Sequence, residues 1–269
     1  MRDQAVSVRP QKEDDRHFSF KSPLRYPGGK SRGAEAITSY FPEGIKEILS
    51  PFFGGGSVEL LMATKGVTVL GFDLFKPLVE FWECLLAKPL LLARAVEKWY
   101  PLSKEAFYQL QQEQVGLRTK IERAAAFYVI NRSSFSGASL SGGMSPGHPR
   151  FTLSSIQRLR DFTNPNVVVE AAHFTQSLLR HKNVFAYLDP PYAIECVLYG
   201  KRGNTHKNFN HQELCHILRQ RSSWVLSYND CPLVRDLYRG YRTIIPSWKY
   251  GMSANKSSNE VLIFSSDLS

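Results

Sequence analysis

Seven short apolar runs recur along the chain, separated by segments with helical periodicity. They are rich in β-branched and aliphatic residues and are continuous rather than alternating, which is typical of strands covered by helices on both faces. The runs occupy residues 45–50, 67–73, 166–171, 183–189, 224–228, 241–247 and 260–266. The pattern predicts an α/β fold with a seven-stranded sheet.

Helical signals fill the intervals between these runs. An apolar stripe from Ser57 to Lys65 ends at Gly66, a natural left-handed cap. Asn210 and Glu213 have the spacing of a capping box and open a second amphipathic segment. The long interval at residues 74–165 is predicted to hold four helices: around residues 78–98, from Ser103, from the capping box of Thr119 and Glu122 through Ile130, and from Ser154 to Phe162.

This long interval breaks the alternation of strands and helices. Its last two predicted helices flank a Gly/Ser/Pro-rich loop with basic ends, NRSSFSGASLSGGMSPGHPRFT. Specificity is usually added to an α/β scaffold in insertions of this kind. We therefore predict a flexible tail at residues 1–17, a main domain made of residues 18–98 and 165–269, and a helical insertion at residues 99–164.

Charge adds a partner class to this picture. The 269 residues include 34 Lys+Arg and 24 Asp+Glu, a formal net charge of +10. This surplus of positive charge favours an anionic binding partner. Nucleic acid is preferred over a membrane surface, because no basic amphipathic helix stands out. The charge also fits a basic enzyme with no anionic partner. No apolar run has the roughly 18 residues of a membrane span, and the polar first residues lack a signal-peptide core. We expect a soluble, cytoplasmic protein with reduced cysteines and no membrane partner.

A glycine-rich segment, SPFFGGGS, directly follows the first predicted strand and opens a helix. Adjacent glycines let the backbone approach a ligand, and the helix N-terminus offers free amides. Asp73 ends the second strand about 20 residues later, where such folds place a carboxylate on ribose hydroxyls. A dinucleotide and an adenosine-type cofactor both fit, and a helix N-cap is the alternative role for Asp73.

The segment YLDPPY, residues 187–192, ends the fourth strand. Its two prolines predict a rigid extended turn that holds Asp189 and the carbonyl of Pro190 as two acceptors beside the ring of Tyr192. Two acceptors and an aromatic face suit an exocyclic amine on a planar base. A purely structural Asp-Pro turn is the alternative.

Two other site types are disfavoured by the residues present. The segment PGGKS is not a phosphate-binding P-loop, because Leu24 stands where the pattern needs glycine and no strand precedes it. Lys30 is then either solvated or close to a cofactor carboxylate or a phosphate. His211 and Cys215 share a helical face near His206, but no second pair completes a metal site, and no metal is predicted.

The order FFGGGS, then the acid of GFD, then YLDPPY resembles the Dam-like (D12 class, alpha-order) adenine-specific N6 DNA methyltransferases. RYPGGK, NRSSFSG, RFT, LYGKRGNTHKNFNHQEL and LSYND are similar to further segments of that family. The chain departs from it at Ser50, where the family often has an acid, and at His173 within EAAHF. The resemblance implies a Rossmann-like S-adenosylmethionine-dependent methyltransferase fold, with a seven-stranded mixed sheet, a catalytic main domain and a small target-recognition insertion.

The resemblance also implies a function and a set of site residues. It implies a site-specific enzyme that transfers the methyl of S-adenosyl-L-methionine to the N6 amine of an adenine flipped out of double-stranded DNA. The catalytic residues would be Asp189, Pro190, Pro191 and Tyr192. The cofactor-binding residues would be Tyr26, Lys30, Pro51, Phe52, Gly54, Gly56, Ser57, Asp73 and Phe174. The DNA-binding residues would be Arg132, Arg150, Lys201, Arg202 and Lys207.

Three other functions stay open. Methylation of the N4 amine of cytosine needs the same two acceptors, although serine is more usual there than Asp189. Methylation of RNA or of a protein glutamine is a further alternative, usually with asparagine at that position. A catalytically silent DNA-binding protein of the same fold is the alternative from another class. No pattern in the sequence specifies an oligomeric state.

Overall fold

The structure is a computed structural model that describes residues 21–26, 28–137, 142–145, 150–193, 209–246 and 260–268. The strands are β1 Glu47–Ser50, β2 Thr68–Asp73, β3 Val167–Ala171, β4 Phe185–Leu188, β5 Trp224–Asn229, β6 Thr243–Ile244 and β7 Glu260–Phe264. The helices are α1 Ala34–Thr38, α2 Ser57–Thr64, α3 Lys76–Ala87, α4 Pro89–Glu97, α5 Lys104–Glu113, α6 Lys120–Ser133, α7 Leu153–Arg160, α8 Phe174–Arg180, α9 His211–Arg219 and α10 Pro232–Leu237. The predicted tail at residues 1–17 lies outside the described residues.

The seven strands form one sheet in the order β3-β2-β1-β4-β5-β7-β6. The pairs among β1 to β5 are all parallel, and β7 runs antiparallel to both β5 and β6. This order, with helices joining the parallel strands, is a Rossmann-like doubly wound arrangement. The predicted α/β class and the seven-stranded mixed sheet are confirmed.

Both faces of the central strands β1, β4, β5 and β7 are largely buried, which explains why their sequences are continuously apolar. Successive residues point to opposite faces, so Ile48 belongs to one core cluster and Leu49 to the other. Helices α1 to α7 contribute to the cluster with Ile48. Helices α8, α9 and α10 contribute to the cluster with Leu49. A strand buried between two helical layers has no exposed side that polar residues would occupy.

Helix ends follow local chemistry, with two corrections. Gly66 has a φ of 84° and ends α2 as predicted, and the capping box of Thr119 before α6 is complete. The single helix predicted at residues 78–98 is wrong: it is two helices, because Pro89 has no amide hydrogen to donate and α4 restarts there. Helix α7 is capped by Thr152 rather than starting at Ser154.

No described helix is long and apolar enough to cross a membrane.

The helices of the predicted insertion share a core with the main domain. Phe127 of α6 is 1% exposed, and its ring lies 5.8 Å from that of Phe75 and 6.0 Å from that of Phe81, between ring centroids. Both partners belong to the region around α3, which covers the sheet. The boundaries of the insertion stay a prediction, but its central helix α6 packs as part of the layer over the sheet.

We expect Phe127→Ala to destabilise the protein by about 3–5 kcal/mol, the usual cost of removing a buried aromatic ring. Because α6 shares the core of the sheet, urea unfolding followed by circular dichroism should show one cooperative transition at lower urea concentration. The matched control is Phe135→Ala, since that ring is 64% exposed and its loss should change little. A separate early transition in the Phe127 variant would instead mean that the insertion unfolds as an independent unit.

Candidate active site

The site lies where the order of the strands reverses. Strand β1 pairs in parallel with β2 on one side and with β4 on the other. Segments leaving the carboxyl ends of β1 and β4 therefore connect to helices on opposite faces, which opens a crevice between them. The glycine loop, residues 51–56, follows β1, and the acidic turn, residues 189–192, follows β4. Two motifs that are 133 or more residues apart in sequence thus meet at one edge of the sheet.

Two glycines give the glycine loop its path. Gly54 and Gly56 have φ values of 50° and 67°, which disfavour residues with a side chain. A Cβ atom at Gly56 would lie 2.7 Å from the ring of Phe53. The indole Nε1 of Trp82 donates a hydrogen bond of 3.0 Å to the carbonyl of Gly54. Pro51 and Phe52 open the loop, and α2 begins just after it, at Ser57.

Asp73, the last residue of β2, joins the glycine loop to the start of α3. Its Oδ2 accepts a hydrogen bond of 3.0 Å from the Gly54 amide, and its Oδ1 accepts one of 2.9 Å from the amide of Phe75, the N-cap residue of α3. Burial raises the pKa of Asp73, and these backbone donors oppose the rise. A carboxylate has about four acceptor sites, so these two hydrogen bonds and a further one from the amide of Leu74 leave Asp73 one acceptor site for a ligand hydroxyl. Asp73 therefore binds a backbone amide at the start of α3, much as the predicted alternative role of N-cap requires, and it can still accept a hydrogen bond from a ligand.

Tyr26 brings the segment RYPGGK against the glycine loop. A Cβ atom at Gly54 would lie 2.9 Å from Cε1 of Tyr26, and one at Gly55 would lie 2.9 Å from its Cβ. Any side chain at these two loop positions would collide with Tyr26. The predicted cofactor-side residue Tyr26 is therefore placed with the loop, whereas Lys30, four residues later, reaches the acidic turn.

An aromatic cluster borders the glycine loop. Phe174 is 4% exposed, and its ring centroid lies 4.4 Å from that of His173, 5.6 Å from that of Phe52 and 5.3 Å from that of Phe209. Phe174 therefore supports the cluster, and the half-buried rings of its neighbours provide the accessible surface. His173, at a position where the family often has an acid, caps α8, because its Nδ1 accepts a hydrogen bond of 3.4 Å from the Thr175 amide. The same Nδ1 lies 2.8 Å from Oγ1 of Thr175.

Lys30 is buried against the acidic turn. Its Nζ donates to both carboxylate oxygens of Asp189, at 2.6 and 2.7 Å, and to the hydroxyl of Tyr192 at 2.9 Å. Lys30 is 3% exposed, which excludes the solvated alternative. Burial raises the pKa of Asp189, and the Lys30 ammonium opposes that rise.

Asn229 anchors the acidic turn from the neighbouring strand. Its Oδ1 accepts a hydrogen bond of 2.8 Å from the amide of Ala193, directly after the turn. Asn229 ends β5 and is paired in register with Glu260, the first residue of β7. Sequence reasoning did not single out either residue. The similarity of LSYND to a family segment was the available signal for Asn229, and Glu260 had none beyond its place in an apolar run.

Two further carboxyl groups are buried near Lys30. Glu260 Oε1 lies 3.3 Å from Lys30 Nζ, and Glu59 of α2 accepts a hydrogen bond of 2.7 Å from Oγ of Ser50. Burial raises the pKa of each to about 7. Ser50, at the position where the family often has an acid, thus donates a hydrogen bond to the carboxyl group of Glu59 in the next helix.

The predicted DNA-binding residues fall into two groups. Arg132 donates to the backbone carbonyl of Arg150, at 3.0 and 2.8 Å, and to that of Pro23, at 3.4 Å. Its guanidinium therefore ties the backbone at Arg150 to the backbone at Pro23. Arg150 is exposed. Burial, together with the guanidinium groups of these two residues, lowers the pKa of Arg25. The other three residues lie outside the described residues: Lys201, Arg202 and Lys207.

The histidine and cysteine considered for a metal site have other contacts. His211 Nδ1 contacts the hydroxyl of Tyr228, and Cys215 Sγ lies 3.2 Å from the carbonyl of Leu237. The described part of the chain contains no group of three or more His, Cys, Asp or Glu residues that would hold a metal ion.

Comparisons with known proteins bear on this site. A search of curated protein sequences finds no significant match. Among solved structures, the chain is similar to the rRNA methyltransferase aviRa from Streptomyces viridochromogenes, with 13% sequence identity, 97% of this chain and 96% of that chain covered, and a TM-score of 0.39. The family model of the D12 class N6 adenine-specific DNA methyltransferases matches residues 26–252, which include the glycine loop, Asp73 and the acidic turn. This match covers well over half of the chain, and the chain therefore belongs to the D12 class N6 adenine-specific DNA methyltransferase family.

Proposed function

We propose that the crevice between β1 and β4 binds S-adenosylmethionine on the side of the glycine loop and a flipped-out adenine of double-stranded DNA on the side of the acidic turn. The family establishes DNA adenine-N6 methylation, and the proposal concerns how these residues perform it. The observation that carries it is the parallel pairing of β1 with β4, which brings a backbone ligand site and a buried acceptor pair to the same edge.

The cofactor side has groups suited to an adenosine-type methyl donor. Asp73 keeps an acceptor site for a ribose hydroxyl, and Phe52 offers a half-buried ring to a planar base. The first amides of α2 follow Gly56, whose lack of a side chain leaves them uncapped. When bound, S-adenosylmethionine supplies a methyl group on a sulfonium, which is already activated for transfer and needs no metal.

On the other side, Asp189 and the Pro190 carbonyl hold the hydrogens of the target amine. The N6 lone pair is delocalised into the adenine ring, so the amine is a poor nucleophile until its hydrogens are fixed and the nitrogen moves towards tetrahedral geometry. Two acceptors on a turn with two prolines hold the amine in that orientation without reorganisation. Tyr192 stacks on the base outside the duplex, because an adenine within the helix cannot reach such a pocket.

The transfer leaves one proton too many on the amine. As the N6 lone pair forms the new N–C bond, the bond from the methyl carbon to sulfur breaks and its electron pair stays on the sulfur, which becomes a neutral thioether. The nitrogen gains the positive charge, and loss of one N–H proton restores the neutral N6-methyl group. Asp189 is the nearest carboxylate of the turn, and it receives this proton before releasing it to solvent. Burial already favours the protonated form of Asp189, which supports this role.

We expect Asp189→Ala to reduce methyl transfer by about 10³-fold, since a preorganised acceptor is lost from the reacting amine. The protein is incubated with labelled S-adenosylmethionine and unmethylated DNA, and the digested nucleosides are separated. The wild type should yield N6-methyl-2′-deoxyadenosine, and cofactor binding should persist in the variant.

Asp236→Ala is the matched control, because this carboxylate lies on the exposed side of α10 and its side chain is 68% exposed. Label in N4-methylcytosine, in RNA or in protein would contradict the proposal. Loss of cofactor binding in Asp189→Ala would contradict the role given to Asp189.

A second prediction concerns the cofactor side. Asp73→Asn replaces one carboxylate oxygen by an amide nitrogen that cannot accept from Gly54 or Phe75, and it removes the charge that faces the ribose. The affinity for S-adenosylmethionine, measured by titration calorimetry, should fall about tenfold or more, or roughly 1.4 kcal/mol. Asp236→Asn should bind with wild-type affinity. Equal affinity of the Asp73 variant would exclude Asp73 from the cofactor site.

A third prediction concerns the binding of DNA phosphates. If Lys201, Arg202 and Lys207 neutralise phosphates, their combined replacement by alanine should flatten the salt dependence of DNA binding, by about 0.9 in log–log slope for each phosphate that is no longer neutralised. Fluorescence anisotropy at several salt concentrations measures this slope. A control that removes the same number of charges uses exposed lysines near the amino ends of the strands: Lys65, Lys88 and Lys182. An equal change of slope in both variants would mean that these three residues do not contact DNA.

A further inference from the structure

The acceptor that the target amine needs is already covered by Lys30. An ammonium presents N–H donors like those of an exocyclic amine, and Nζ of Lys30 contacts both oxygens of Asp189 and the hydroxyl of Tyr192. Under the proposed function, on which this inference rests, the amine and Lys30 donate to the same carboxylate. The carboxylate has about four acceptor sites, so Lys30 does not exclude the amine by number, but a cation held against both oxygens draws their charge away from the amine.

The surroundings of Lys30 contain enough acceptors for it to release Asp189. An ammonium has three hydrogens, whereas its Nζ lies within 3.3 Å of at least five oxygen atoms in four residues. When the two oxygens of Asp189 are removed from these five, three acceptors remain, one for each hydrogen. They are the carbonyl of Gly28 at 3.1 Å, the hydroxyl of Tyr192 at 2.9 Å and Oε1 of Glu260 at 3.3 Å.

Glu260 is the charged member of this remaining set, and it has spare capacity. Its side chain is 4% exposed, and its Oε2 is buried with no hydrogen-bond partner in the described structure. A buried acceptor without a donor is costly, so a donor that moves towards Glu260 gains a partner already in place. The contact of 3.3 Å is longer than the two to Asp189, so Lys30 has room to approach.

Charge balance gives a second reason for this movement. The amine nitrogen becomes positive when it receives the methyl group, and with Lys30 still in place two cations would share Asp189. A second buried carboxylate allows each cation to face its own anion. Glu59, also buried nearby, is bonded to Ser50 and has no contact with Nζ among those described.

We infer that Glu260 is a positioning residue that receives Lys30 when the target amine enters, so that Lys30 uncovers Asp189 for the reaction. Lys30 thus binds Asp189 when no amine is present, and it binds Glu260 when the amine occupies Asp189. Glu260 touches neither the substrate nor the reacting atoms, and it acts only through Lys30.

The test is the pH dependence of the single-turnover methyl-transfer rate in Glu260→Gln. Glu260 has to be ionised to receive the ammonium, and burial raises its pKa to about 7. The wild-type rate should therefore rise as the pH increases through about 7. Glu260→Gln keeps the shape of the side chain but not its charge, so its rate at pH 8 should be about tenfold lower and the rise should disappear.

Two further variants assign the effect. The groups around Lys30 that titrate or carry charge are Asp189, Glu260, Glu59 and Tyr192. The pKa of Glu59 is also raised to about 7, so Glu59→Gln is the matched control and should keep the rise with pH. In Lys30→Met, which has no ammonium to receive, adding Glu260→Gln should change the rate no further.

Each contrary result has a distinct meaning. A Glu260→Gln enzyme with wild-type rate and pH profile, or one that is slower but keeps the rise, would overturn the inference while leaving the proposed function intact. Loss of the rise in Glu59→Gln, or an additive effect of Glu260→Gln in the Lys30→Met background, would also overturn it. A wild-type protein that transfers no methyl group to adenine at any pH would overturn the proposed function, and this inference with it.

Discussion

The parallel pairing of β1 with β4 is the constraint on which the site depends. The strands β2 and β3 lie on one side of β1, and β4 and the later strands lie on the other side. The connections after β1 and β4 therefore lead to opposite faces of the sheet, and a crevice forms between them at the carboxyl ends of these two strands. The glycine loop and the acidic turn have no other means of meeting, since residues 57–188 lie between them in sequence. Adjacent parallel strands determine the distance between the glycine loop and the acidic turn, and helices pack on both faces of these strands.

Around that crevice, each important group is held by backbone contacts or by buried partners. Asp73 accepts hydrogen bonds from the backbone amides of Gly54 in the glycine loop and of Phe75 before α3. These hydrogen bonds tie the loop to the end of β2. Asn229 restrains the acidic turn through the amide of Ala193. Such contacts preorganise the acceptors, and preorganisation is what a reaction with an activated methyl donor mainly requires of the protein.

The same crevice holds three carboxyl groups around one lysine. Asp189, Glu260 and Glu59 are near Lys30, and burial raises the pKa of each of the three carboxyl groups. In a protein of net charge +10, these groups lie where, under the proposed function, the amine becomes positive. On that proposal, the overall positive charge favours the DNA backbone, and ionised Asp189 and Glu260 favour the amine that accepts the methyl group.

The sequence by itself determined the class of fold, all seven strands and the two motifs of the site, because continuous apolar runs, glycines and prolines act through local sterics and burial. It also led to the family. Only the tertiary structure decided that Lys30 covers Asp189, that Phe174 is buried in an aromatic cluster, and that Glu260 lies beside Lys30. These contacts join residues far apart in the chain, and they depend on the order of strands in the sheet, which no local pattern encodes.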